Sequence, residues 1–333
     1  MNILADLHHA DLYYSLYLLF EKRLGHKLYS PIGIEWHQAG YWQHLIEGPY
    51  GSTTPCLSYV DRLPKQVSPD VHWCLLRSQK EVRRGITLDK FKDMRFDIVI
   101  STLPKHWVSF QKLISDLQPQ AKHIAQIGNL GPDWSACPVK NILSSAPLNF
   151  LNSPEGKHVL YYNQEFSLDT FRYSPPATGP KKITSFIHCM PKEQFLSYSH
   201  VLPEFEFRAY GVGFPSQINT LNDIAECMQK STFGWHVKSG DGYGHILHNW
   251  LAMGRPVITR LSDYKHRTDR LVHGQSCIDL DANSFARNVE LIREWSAPDA
   301  HAKMCASTYN LFRQCVDFNR DAENVKKFLE GLL

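Results

Sequence analysis

The segment TFGWHVKSGDGYGHILHNWLAMGRPVIT, residues 232–259, constrains the fold more than any other part of the chain. Phe233 to Val237 predicts a short buried strand, and Lys238 to Gly244 predicts a turn broken by glycines. His245 to Met253 predicts a helix, and Pro256 to Thr259 the next strand. Strand, loop, helix and strand in that order belong to α/β architecture. Gly240, Gly242 and Gly244 lack the Cβ atoms that would block a sharp turn or the close approach of a ligand. The helix that opens after them turns unpaired N–H groups and its positive dipole end toward the loop. This construction suits a phosphate or diphosphate. Such turns also occur in α/β folds for geometric reasons alone. The neighbours are what point to a ligand: Lys238 before the turn, Asp241 inside it, and His245 and Asn249 on the first helical turns.

The run DGYGHILHNWLAMGRPVI resembles the donor-binding motif of GT-B-fold glycosyltransferases of the group-1 type. In that family a glycine-rich loop and its helix end in a small-x-Gly-x-Pro-Val-Ile run. An acidic residue five positions before the last glycine contacts the donor ribose, and a second functional residue lies eight positions earlier. Here those positions are Asn249 and Asp241. Asn249 departs from the pattern, since a neutral amide can hydrogen-bond a ribose hydroxyl but is not the usual carboxylate. The resemblance implies two Rossmann-like domains facing across a cleft, with the last helix crossing back to the first domain. It further implies a nucleotide-diphosphate sugar, such as a UDP-sugar, as co-substrate, with no cofactor and no metal. The donor would be held by Lys238, Gly240, Gly242, Tyr243, Gly244, His245 and Asn249. His188 would face the diphosphate, and Gly211 and Phe214 would frame the base.

A chain of 333 residues predicts two domains. The stretch Ser174-Pro175-Pro176-Ala177-Thr178-Gly179-Pro180 is the best linker, giving domains over 1–174 and 182–333 joined by 175–181. Hydrophobic residues at 43% and charged residues at 21% exclude extensive disorder. There is no apolar run of about 18 residues, and MNILADLHH enters a strand directly, which reads as a cytoplasmic protein. The eight cysteines are scattered, with no C-x-x-C pair, and read as reduced core residues. A net charge of +3 neither demands nor excludes a polyanionic partner, and the oligomeric state is not legible. The cluster Lys80-Glu81-Val82-Arg83-Arg84 reads as solvated surface.

At the start, Asn2 to Leu7 predicts a strand, Leu12 to Leu24 an amphipathic helix stopped by Gly25, and Lys27 to Tyr29 a second strand. The loop between them lies at the carboxyl edge of the sheet, where open α/β sheets bind ligands. A hydroxyl attacking an anomeric carbon must lose its proton, and imidazole titrates near neutral pH. His8 and His9 are therefore candidate bases, with His9 preferred and Asp11 as its orienting partner; the alternative is that they hydrogen-bond loop backbone. Glu35, Trp36, His37, Tyr41 and Trp42 lie in an irregular aromatic stretch that would either stack on an acceptor or pin a long loop to its domain. Asp279-Leu280-Asp281 matches D-x-D but reads as a helix cap.

The function these features predict is transfer of a hexose or pentose from a nucleotide-diphosphate sugar to an acceptor hydroxyl on a saccharide, a small metabolite or a hydroxymethylated nucleic-acid base. The alternatives are an NAD(P)-dependent oxidoreductase, whose G-x-G-x-x-G spacing is not matched, and a sugar-nucleotide or glycan-binding module that has lost its chemistry.

Overall fold

β1 (Asn2–Ala5) is the strand from which the first sheet grows in both directions. The computed structural model describes residues 1–6, 10–31, 35–41, 71–75, 82–103, 106–128, 137–145, 155–187, 190–210, 214, 218, 220–238, 245–264 and 269–333. After β1 come α1 (Ala10–Tyr17), a π-helical continuation Leu18–Arg23, and β2 (Lys27–Pro31). They are followed by α2 (Glu35–Gln38), β3 (Val71–Leu75), β4 (Val82–Ile86), α3 (Leu88–Asp93) and β5 (Ile98–Ser101). Next are α4 (Trp107–Leu117), β6 (Lys122–Ile127), β7 (Asn141–Ser144) and β8 (His158–Tyr161). The strands lie in the order β3-β4-β2-β1-β5-β6-β7-β8, with β3 antiparallel to β4 and the other described pairs parallel.

Strand periodicity divides this sheet's side chains between two cores. Ile3, Ala5, Ile98 and Ile100 meet Tyr13, Leu16, Leu19 and Phe20 of the first helix. Leu4 and Val99 point the other way, onto Trp36, Phe91, Phe110 and Leu113. Gly25, at φ +66°, ends the helix as predicted.

The second sheet is built from β9 (Lys182–Ser185), α5 (Lys192–Val201), β10 (Glu206–Ala209), α6 (Leu221–Gln229) and β11 (Phe233–Trp235). It continues through α7 (His245–Ala252), β12 (Val257–Thr259), β13 (Cys277–Asp279), α8 (Phe285–Trp295) and α9 (Pro298–Cys315). The order is β10-β9-β11-β12-β13, all parallel. Among the described residues, no helix is long and apolar enough to cross a membrane.

The chain divides into residues 1–166 with 318–333, and residues 167–317. This differs from the linker-based boundaries in two ways. Residues 167–174 belong to the second unit because Arg255, fully buried, donates to Ser174 O at 3.0 Å, Ser174 Oγ at 2.9 Å and Pro175 O at 2.5 Å. The last helix, Phe318–Glu330, belongs to the first unit: Ala322, Val325 and Leu329 enter the first core, and Asp321 accepts from Asn163 N at 3.1 Å and Nδ2 at 2.8 Å. Two further readings are corrected. Residues 82–86 form a strand rather than solvated surface, with the Arg84 guanidinium ion-paired to Glu21. Asp279 and Asp281 bond the start of the 3-10 turn Leu261–Asp263 rather than capping the helix that follows them: Asp279 accepts from Leu261 N at 3.0 Å and Asp281 from Ser262 N at 3.4 Å. The cap of α8 is Ser284, whose Oγ accepts from Arg287 N at 3.3 Å.

Candidate active site

Ligands of open parallel sheets gather at carboxyl ends where the strand order reverses. In the second unit that point lies between β9 and β11, and residues 236–238 leave it. Their backbone is braced from the next strand connection. Thr259 Oγ1 donates to His236 O at 2.7 Å, Tyr264 Oη to the same oxygen at 3.4 Å, and Arg260 Nη2 to Lys238 O at 2.6 Å. Arg260 also pairs with Asp263 at 3.1 Å. Lys238 and Arg260 thus stand together at one sheet edge, both partly accessible.

α7 begins at His245 and is seated on the sheet by Trp250. A Cβ at Gly234 would come within 2.6 Å of that indole, so strand β11 is bare where the helix crosses it. Gly254 ends α7 at φ +68°, where a Cβ would also come within 2.7 Å of the Tyr173 ring. Asn249 is 4% exposed, and its Oδ1 is buried without a hydrogen-bond partner. An orphaned buried acceptor of this kind costs about 1–3 kcal/mol and marks a place to look for a ligand.

In the first unit the order reverses between β1 and β5, and a buried polar group sits there. Asp6, just after β1, accepts from Thr102 N at 3.0 Å, from the Thr102 hydroxyl, and from His106 Nδ1 at 2.6 Å. A carboxylate only accepts, so the Nδ1 proton is held toward Asp6 and Nε2 carries the lone pair when the ring is neutral. Phe110 stacks between His106, at 6.3 Å, and His123, at 6.0 Å. Ser101 Oγ and His123 Nε2 share a 2.9 Å hydrogen bond, and burial lowers the His123 pKa to about 4.

No family model and no curated protein matches the sequence. Solved structures match over the whole chain. Sucrose-phosphate synthase from Thermosynechococcus elongatus superposes with a TM-score of 0.66 at 10% identity, covering 100% of this chain and 99% of that one. Anabaena Alr3699/HepE in complex with UDP gives 0.65 at 9% identity, covering 99% of each. An alpha-glucosyltransferase in complex with UDP-glucose and DNA containing an abasic site gives 0.63 at 13%, covering 99% of this chain and 98% of that one. The chain has the GT-B fold.

In the second unit, Lys238 follows β11, and His245 and Asn249 lie on α7. Phe214 packs against the second unit's core with the Lys192 ammonium 5.0 Å above its ring. His8, His9, Trp42, His188, Gly211, Gly240, Asp241, Gly242, Tyr243 and Gly244 lie outside the described residues. Asp11 and His37 lie in α1 and α2, with side chains also outside them. Glu35 faces Leu88 N at 3.4 Å. Trp36 and Tyr41 pin their segment to the domain rather than offering open faces. Trp36 is fully buried and donates to Ile86 O at 3.1 Å; Tyr41 is buried and donates to Asp116 at 3.0 Å.

Three residues escaped the sequence reading: Asp6, His106 and Arg260. Asp6 closes the first apolar run and His106 precedes the α4 stripe, so each was visible as a polar residue at a strand or helix boundary. Their pairing across 100 positions was not.

Proposed function

We propose that this chain is a metal-independent glycosyltransferase that moves a hexose or pentose from a nucleotide-diphosphate sugar to an acceptor hydroxyl. The observation that carries the reading is Lys238 leaving β11 at the strand-order reversal of the second unit of a GT-B chain, with Arg260 bonded to its carbonyl and α7 opening at His245. Two cations and a helix N-terminus would offset the charge that builds on a departing diphosphate. The full-length neighbours crystallised with UDP or UDP-glucose support a uridine nucleotide as the first donor to test. Asn249 Oδ1 would accept from a ribose hydroxyl.

His106, with Asp6 behind it, joins His9 as a candidate base for the acceptor proton. The Asp6 carboxylate sets the tautomer a base needs and would stabilise the imidazolium that forms. The acceptor is a saccharide, a small metabolite or a hydroxymethylated base. The neighbour solved with DNA gives a reason to include duplex and single-stranded DNA in the acceptor panel. A nicotinamide oxidoreductase is the poorer reading, since the glycine spacing does not match and the whole-length neighbours bind sugar nucleotides.

The test is release of nucleoside diphosphate from UDP-glucose and related donors, with and without each acceptor and with EDTA throughout. Acceptor-dependent release that survives EDTA is expected. Tight donor binding with no turnover on any acceptor would instead identify a sugar-nucleotide binding module.

A further inference from the structure

His248 lies in the middle of α7, 3% exposed, and faces Arg270, 2% exposed, from the segment before β13. Arg270 Nη1 and His248 Nε2 are 2.8 Å apart. A guanidinium has only donors to offer, so His248 Nε2 must accept, which requires a neutral ring with its proton on Nδ1. Other titratable groups are described around this contact, and those nearest the ring are imidazoles. β11 and its continuation contribute His236, 1% exposed, and Lys238 beyond it; α7 itself contributes His245. Asp269, whose side chain is 72% exposed, reaches Arg270 Nε at 3.3 Å, and Cys315 of α9 faces the same pair.

We propose that the Arg270–His248 hydrogen bond is an acid-sensitive latch on α7, and that proton uptake at His248 Nε2 releases the helix. Adding the proton removes the Nε2 lone pair to which the guanidinium donates and leaves two cations at hydrogen-bond distance. The loss falls on α7, which carries His245 and Asn249. Regulation of donor binding rests on the sugar-nucleotide reading; the latch itself does not.

Burial, then Arg270, His245 and His236, depress the His248 pKa well below its usual 6.5, and burial and Lys238 do the same to His236. A folded-state pKa below the unfolded one gives stability that is whole above about 6.5 and lost progressively as pH falls below it. Each such ring adds roughly a tenfold rise in the unfolding constant per pH unit.

The experiment compares the full-length chain with His248→Gln, whose amide oxygen can accept from Arg270 but cannot titrate. Denaturant unfolding of the unliganded proteins is measured from pH 5 to 8, with UDP affinity alongside. The variant should show a pH slope below 6.5 shallower than wild type by about tenfold per unit. UDP affinities of the two proteins should be similar at pH 8. Equal slopes would overturn the latch. If the variant does not fold, 15N imidazole spectra of the native chain decide: a neutral His248 protonated on Nδ1 at pH 6 is expected, and an imidazolium there is the contrary result. Failure of UDP to bind either protein at pH 8 would count against the donor reading, while the unfolding slopes still judge the latch.

Discussion

At the scale of single residues, two buried polar groups stand in opposite states. Asp6 is fully satisfied and spends its carboxylate on orienting His106. If His106 is the base, His106→Ala should lower turnover about 10²- to 10⁴-fold while UDP-glucose binding changes little, as steady-state kinetics beside calorimetry would reveal. A parallel fall in binding would mean a packing role instead. Asn249 is the opposite case, with a buried oxygen bonded to nothing. Replacing it with the apolar near-isostere in Asn249→Leu should stabilise the free protein by about 1 kcal/mol and weaken UDP-glucose binding about tenfold, read by melting and titration. The sequence marked Asn249 through its place in a motif. It could not mark Asp6–His106, because only the sheet brings the ends of β1 and β5 together.

At the scale of the element, α7 and its exit turn show why the motif has the residues it does. Gly254 and Arg255 were visible in the sequence as the exit of a donor motif, yet their immediate work is packing. Gly254 supplies a positive φ beside Tyr173, and Arg255 ties α7 to Ser174, Pro175 and Gln229. Arg255→Met leaves those carbonyls without a donor and should cost on the order of 3 kcal/mol in chemical denaturation. Gly234→Ala forces a methyl into the Trp250 indole and should cost about 1–3 kcal/mol. Melting temperatures equal to the native chain in either variant would show that α7 is seated some other way. Helix periodicity placed α7 closely, from the predicted His245–Met253 to the observed His245–Ala252, since helical stripes are local signals. It missed β4, whose Arg83-Arg84-Gly85 reads as polar surface; strand pairing on both sides overrides local preference there.

At the scale of the whole molecule, the alternation of strands and helices predicts α/β units and the chain length predicts two of them, while the GT-B type was implied by the resemblance of the residue 241–258 motif. The allocation of residues 167–174 was not legible, since it depends on a contact between segments far apart in sequence, Arg255 with Ser174. The central claim is that the second unit holds a nucleotide sugar through Lys238, Arg260 and the start of α7. Thermal melting of the full-length chain with UDP, UDP-glucose, GDP-sugars and NAD(P), each with and without EDTA, tests it most directly, since a ligand bound to the folded state raises the melting temperature by mass action. The account predicts an EDTA-insensitive rise with one nucleotide or its sugar conjugate that is lost in Lys238→Ala. A rise with NAD(P) and none with any sugar nucleotide would contradict it.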